Sequence, residues 1–204
     1  MQETVGGLLR RSPSGETALV ADGKEYSEKV FYTTCHKTAN LLNHLGAHEC
    51  GGVAVSPAPV AENVFGFLGA CLIGAETRFV RDGAVDAEVL VCEGSRVDSY
   101  DSPASCRVLG HGDDVPTGAT GFDREIWGEN PVFPSGLEAS ADAVVLGGRT
   151  SSELVEEARG FVDDRDLWNG DEVGVGRLDE DAVRVVAALV ARATVVLRDG
   201  DGDG

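Results

Sequence analysis

Lysine is the residue that this 204-residue chain most conspicuously lacks. Only Lys24, Lys29 and Lys37 occur, and 17 Lys and Arg residues in total stand against 35 Asp and Glu residues. Nucleic-acid binding relies on a basic stripe that contacts phosphates, and a net charge of −18 without such a stripe argues against it. We therefore expect no nucleic-acid partner.

Large aliphatic residues and long apolar runs are also few. Isoleucine occurs only at Ile73 and Ile126, and the longest apolar run, Val64 to Ala75, is too short to span a bilayer. The first 15 residues have no apolar core of the kind found in a secretion signal. These features predict a protein with no membrane segment, located in the cytoplasm.

The five cysteines have no CxxC spacing and are odd in number, which favours reduced thiols in a cytoplasm. Abundant acids, few lysines and small apolar residues together indicate adaptation to a salty cytosol, as in a haloarchaeon. At molar salt the Debye length is roughly 3 Å, so dense surface carboxylates repel one another little.

Hydrophobic periodicity and turn residues predict an α/β domain. Strands are expected at 18–21, 52–57, 89–92, 107–109, 143–146, 172–175 and 194–197, and helices follow Ser27, then at 62–73, 122–127, 151–162 and 179–193. Alternating strands and helices predict right-handed crossovers and a three-layer, predominantly parallel sheet with helices on both faces. We expect one domain over residues 1–198 and a flexible acidic tail over 199–204.

Three consecutive elements carry a resemblance to a known superfamily. They are Ala39, Leu42, Leu45 and Gly46 in an A-x-x-L-x-x-L-G helix, then Gly51 or Gly52 with Val53 to Val55, then Phe67 to Ala70 with Gly74 and Ala75. In order and spacing they resemble the N-terminal subdomain of adenylate-forming enzymes, which include acyl-CoA synthetases, luciferases and peptide-synthetase adenylation domains. The resemblance implies an acetyl-CoA-synthetase-like fold, here shortened and degenerate, covering less than half of a complete enzyme.

The resemblance also implies a phosphate loop after the strand at 143–146. The family's loop has the form T-S-G-T-T-G-x-P-K-G, whereas this chain has Gly147 to Ser152, "GGRTSS", and no lysine after Lys37. Arg149, Thr150, Ser151 and Ser152 are the candidate phosphate-binding residues, at the positive end of a helix. In the alternative interpretation, Ser151 or Ser152 is a helix N-cap and Glu153 occupies the first turn.

No catalytic residue and no metal site are assigned. His44 and His48 have chelating spacing, but Gly46 between them is expected to end the helix. We expect a non-enzymatic binding or assembly module without a cofactor, acting as a homodimer or with a partner chain. The alternative is half of a split AMP-forming acid–thiol ligase, in which a second chain completes the site for ATP, Mg²⁺ and CoA.

Overall fold

The first helices begin and end where local capping rules place them. The computed structural model describes residues 3–137 and 139–198. The Ser27 hydroxyl caps helix α2 (Glu28–His44) by accepting from the Val30 amide, and Gly46, at φ 105°, ends the helix. The next long helix ends at Gly74, which is also left-handed at φ 75°. Glycine adopts this conformation without a Cβ clash, so both predicted helix ends are confirmed.

The helices are α1 (Val5–Leu8), α2 (Glu28–His44), α3 (Ala61–Ile73), α4 (Phe122–Glu125), α5 (Ser151–Arg165) and α6 (Leu178–Ala191), with 3₁₀ turns at Gly94–Ser99 and Ser135–Leu137. The strands are β1 (Thr17–Ala21), β2 (Lys24–Ser27), β3 (Gly52–Val55), β4 (Glu76–Phe79), β5 (Gly83–Ala84), β6 (Val89–Glu93), β7 (Tyr100–Asp101), β8 (Arg107–His111), β9 (Thr120–Gly121), β10 (Val144–Leu146), β11 (Arg149–Thr150), β12 (Glu172–Val175) and β13 (Thr194–Leu197).

Within the described residues the strands form a seven-stranded sheet, a four-stranded sheet and a two-stranded ribbon. The seven-stranded sheet, called the larger sheet, has the order β11-β10-β4-β3-β6-β8-β9, and all its pairs are parallel except β10 with β11. The α/β class and the mostly parallel sheet are therefore confirmed. One detail of the prediction was wrong: β1 does not join the sheet of β3 but pairs with β13, in the smaller sheet β12-β13-β1-β2.

One continuous apolar core joins both sheets through the helices. Helix α2 contacts β1 and β2 of the smaller sheet and packs on α3, which contacts β3, β4 and β6 of the larger sheet. Phe31, Phe67 and Leu68 are fully buried in this core. The opposite face of the larger sheet, with Leu90 and Cys92, is covered by the β5–β7 ribbon and its flanking loops.

Helix α2 buries one face in the core, and Val30 near its start lies outside that face. Val30 is 49% exposed, whereas Phe31, Cys35 and Leu42 are buried and form the inner face. None of the helices in residues 3–137 and 139–198 has both the length and the apolar character needed to cross a bilayer. The predicted acidic tail, residues 199–204, lies outside the described residues.

Candidate functional site

The predicted phosphate loop is a tight hairpin turn at the edge of the larger sheet. Strand β10 runs parallel to β4, and Gly147 and Gly148 then reverse the chain with φ of 54° and 78°. Both angles lie in the left-handed region that glycine tolerates, as two-residue hairpin turns require. Strand β11 returns antiparallel to β10, with Thr150 opposite Val144.

Because the chain reverses, helix α5 begins beside the start of β10 and not beyond its carboxyl end. The Ser151 amide donates to the Ala143 carbonyl at 2.9 Å, and the Ser152 amide donates to the Ala141 carbonyl at 3.1 Å. In open parallel α/β sheets, ligands bind at the carboxyl ends of the strands. The positive end of α5 therefore lies at the amino end of β10, and the Gly147–Gly148 turn lies at its carboxyl end.

Thr150 is the N-cap of α5, so the prediction that Ser151 or Ser152 is the cap was wrong. The Thr150 hydroxyl accepts from the Glu153 amide at 3.2 Å, and the Glu153 carboxylate accepts from the Thr150 amide at 2.9 Å. This reciprocal pair is a capping box. The backbone bond from Thr150 lowers the pKa of Glu153, with a further contribution from the Thr150 hydroxyl.

The other candidate phosphate ligands also contact protein groups. The buried Ser151 hydroxyl accepts from the Val5 amide at 3.1 Å, which joins α1 to the start of α5. The Ser152 hydroxyl donates to the Ala141 carbonyl at 3.0 Å, and the Arg149 guanidinium pairs with Glu157 at 2.6 Å. The four residues therefore do not share one turn: Arg149 and Thr150 form β11 after the Gly147–Gly148 turn, and Ser151 and Ser152 begin α5. Phosphate binding there stays a prediction.

The carboxyl edge of the larger sheet carries a polar pair that the sequence analysis missed. His111, the last residue of β8, is buried, and its Nε2 lies 3.1 Å from the Asn63 side-chain oxygen near the start of α3. The Asn63 side-chain Nδ2 donates to the Ala58 carbonyl at 3.0 Å. Burial lowers the pKa of His111. A histidine two residues after a predicted strand was the available signal, but its partner lies 48 residues away.

His44 and His48 lie on either side of the end of helix α2 and have different partners. The His44 ring lies 3.0 Å from a Glu129 carboxylate oxygen, and the His48 ring lies 2.8 Å from the Glu49 carbonyl, beyond the helix end. Over residues 3–137 and 139–198, no three His, Cys, Asp or Glu side chains are grouped closely enough to hold a metal ion.

Comparison with known proteins identifies the fold. No family model and no curated protein matches the sequence. Among solved structures, apo MatB from Rhodopseudomonas palustris matches with a TM-score of 0.76 at 16% identity, covering 100% of this chain and 46% of that one. The anthranilate CoA ligase AuaEII, in complex with anthranoyl-AMP, matches with a TM-score of 0.80 at 15% identity, covering 98% and 45%.

The N-terminal domain of FACL13 from Mycobacterium tuberculosis matches with a TM-score of 0.79 at 14% identity, covering 98% of this chain and 58% of that chain. The chain thus has the fold of the N-terminal part of CoA ligases, as the sequence motifs implied. It spans less than half the length of MatB and AuaEII. At these identities the likeness establishes the fold alone.

Proposed function

We propose that this chain is a CoA-ligase-like module without adenylating activity, acting in ligand binding or in protein assembly. The observation that supports this proposal is the start of α5, where a phosphate would bind. Its first three amides already donate to protein oxygens: Ser151 to Ala143, Ser152 to Ala141 and Glu153 to the Thr150 hydroxyl. An anion at this position would have to displace those bonds.

The charges around the Gly147–Gly148 turn also support a module without adenylating activity. Adenylation requires donors and cations held ready for the charge that develops on the phosphates. Arg149 is the nearest cation in the turn, and it is already paired with Glu157. The Gly148 amide donates to the Glu76 carboxylate at 3.3 Å. A triphosphate brought to the Gly147–Gly148 turn would meet the carboxylates of Glu76 and Glu157.

The test is a pyrophosphate-exchange assay on the purified protein in high salt, with ATP, Mg²⁺ and a panel of carboxylic acids. We expect no carboxylate-dependent exchange above the enzyme-free blank, with folding verified by circular dichroism. Exchange by this chain alone would overturn the proposal. A Ser152→Ala variant then serves as the control, because loss of that exchange would locate the chemistry at the start of α5.

The second candidate function is half of a split AMP-forming ligase. The observation in its favour is that the fold covers only 45–46% of the MatB and AuaEII chains. A second chain would then supply the remaining fold and the cations, and ATP, Mg²⁺ and CoA would bind between the two. Exchange that appears only after a partner chain is added would support this alternative.

We place the module in a reducing, salt-rich cytoplasm. Cys35, Cys71, Cys92 and Cys106 are buried free thiols and Cys50 is an exposed one. Burial raises the pKa of Cys35 and Cys71, which keeps these thiols protonated and unreactive.

A further inference from the structure

Residues 127–132 run alongside helix α2 without belonging to a helix or a strand, and we call this segment the strap. The residues on either side of it, Ile126 and Phe133, are buried in the apolar core. Within the strap, the side chains of Trp127 and Val132 are 82% and 66% exposed. The position of the strap therefore depends on the polar contacts that it makes between its two buried ends.

Three side chains at four-residue spacing on α2 contact the strap, and they are His36, Asn40 and His44. Residues four apart lie on one face of a helix. The buried Asn40 side chain donates from Nδ2 to two strap carbonyls, that of Asn130 at 2.9 Å and that of Val132 at 3.1 Å. Side chains of one helix face thus hold the strap, so a change in one of those side chains can release it.

His36 is the contact that responds to protons. Its ring is hydrogen-bonded to the backbone of Pro131, which has no N–H and can only accept. The Nε2 atom of His36 is buried and has no hydrogen-bond partner within the described residues. Nδ1 therefore carries the ring proton, and Nε2 is the unprotonated nitrogen. A protonated imidazole has two N–H donors, and the second donor of His36 would face no acceptor beneath the strap.

The surroundings of His36 also disfavour a positive charge. Burial lowers the pKa of His36 below its ordinary 6.5, the Pro131 carbonyl offsets part of this, and the Arg10 guanidinium, which follows α1, lowers it further. The one carboxylate of the strap, that of Glu129, lies 3.0 Å from the His44 ring and is not a partner of His36. No acidic group therefore compensates a second proton on His36.

We propose that the strap is a proton-controlled device, which is released from α2 when His36 takes up a second proton and its ring turns to water. A buried cation without an acceptor is costly, so the open arrangement is favoured once the ring is charged. The strap is closed above pH 6.5 and opens increasingly as the pH falls below 6.5, the ordinary value that His36 has when it is exposed. Because each opening takes up one proton, the ratio of open to closed strap rises at most about tenfold per pH unit. This device is independent of the ligand-binding or assembly role proposed above.

The contact between His44 and Glu129 responds to acid in the opposite direction. A protonated His44 forms an ion pair with Glu129, which holds the strap more firmly. The His44 side chain is 66% exposed, so this pair is weak. Because the two histidines of the strap act with opposite signs, replacing each of them in turn identifies the one that controls opening.

The test follows the indole N–H of Trp127 by NMR. Its ring lies 5.8 Å from the Lys37 ammonium on α2, so its environment changes when the strap leaves the helix. The chain has two tryptophans, and a Trp168→Phe variant assigns the two indole peaks. Spectra are recorded at fixed salt from about pH 7.5 to about pH 5, together with the ring protons of His36. We expect the Trp127 peak to shift below pH 6.5 with the same midpoint as His36.

Three histidine variants identify the group that controls the shift. His36→Gln retains a side-chain hydrogen-bond donor but takes up no proton, so the shift of the Trp127 peak should disappear. His44→Gln should retain the shift and enlarge it, because the opposing ion pair is lost. His48→Gln is the matched control, because His48 lies beyond the end of α2 and contacts its neighbour's carbonyl, and it should leave the shift unchanged.

An Asn40→Ala variant gives a reciprocal check, because proton uptake and strap opening are linked. It removes two bonds to the strap, so His36 should titrate at a higher pH than in the wild type, closer to 6.5. Circular dichroism verifies that each variant is folded. A Trp127 peak that does not follow His36 in the wild type overturns the proposal, as does a shift that survives His36→Gln. An unchanged His36 midpoint in folded Asn40→Ala also overturns it.

Discussion

Removing the Thr150 hydroxyl separates the two interpretations of the turn before α5. As an N-cap, Thr150 stabilises the folded protein through the bond that its oxygen accepts from the Glu153 amide. Replacing an N-cap threonine by alanine typically costs about 1 kcal/mol, with a range of roughly 0.5–2 kcal/mol. In a protein of this size, that cost lowers the melting temperature by roughly 2–4 °C.

The assay is thermal unfolding followed by circular dichroism in a fixed high-salt buffer, comparing wild type with Thr150→Ala and Thr150→Ser. Serine retains the hydroxyl and also caps helices, so Thr150→Ser is expected to unfold within about 1 °C of the wild type. The same three proteins are titrated with Mg²⁺-ATP. Unchanged melting of Thr150→Ala together with loss of saturable ATP binding would refute the cap argument and favour a phosphate site.

The pH dependence adds an independent check on the capping box. The backbone bond from Thr150 and the Thr150 hydroxyl lower the pKa of Glu153 from 4.5 in the folded state. A depressed carboxyl pKa gives stability that is present above pH 4.5 and is lost as the pH falls through the folded value. The melting difference between wild type and Thr150→Ala should therefore shrink in acid. A difference that grows in acid would contradict the assignment.

Three further predictions concern packing, the buried histidine and salt. A Cβ at Gly94 would lie 2.7 Å from the Asp114 backbone, so Gly94→Ala should lower the free energy of unfolding by about 1–3 kcal/mol in urea titrations. Gly160→Ala, in an open part of α5, should raise it by about 0.5–1 kcal/mol, and equal effects would refute the packing argument. Burial lowers the pKa of His111 below its ordinary 6.5, so stability should fall as the pH drops below 6.5. His111→Gln should reduce the dependence of stability on pH below 6.5. An unchanged pH dependence would show that His111 is not its source. Raising KCl from about 0.1 M to about 3 M should increase the melting temperature of this chain of net charge −18, and a decrease would contradict salt adaptation.

Local rules were sufficient for the start of α2 and for the C-terminal ends of α2 and α3. The structure has the Ser27 N-cap and the left-handed helix ends at Gly46 and Gly74. Each of these features depends only on residues within one turn of its helix. The burial of α3 followed from an apolar run with almost no polar side. Such features are encoded over a few residues, so a single sequence is enough to predict them.

The start of α5 could be predicted only in part. A helix N-terminus is indicated by the hydroxyl residues that precede Glu153. Three of them are adjacent, Thr150, Ser151 and Ser152, and each could occupy the N-cap position. The choice of Thr150 depends on the hairpin with β10, which holds the Ser151 and Ser152 amides against Ala143 and Ala141. That pairing involves backbone groups up to 11 residues away, and side-chain types do not report it.

The sequence by itself determined the α/β class, the start of α2, the C-terminal ends of α2 and α3, and the order of three motifs shared with CoA-ligase folds, because each depends on short-range patterns. Only the tertiary structure decided that β1 pairs with β13, that His111 meets Asn63, and that the positive end of α5 is occupied by its own chain. These contacts join residues far apart in sequence, and their geometry depends on how the sheets and helices pack together.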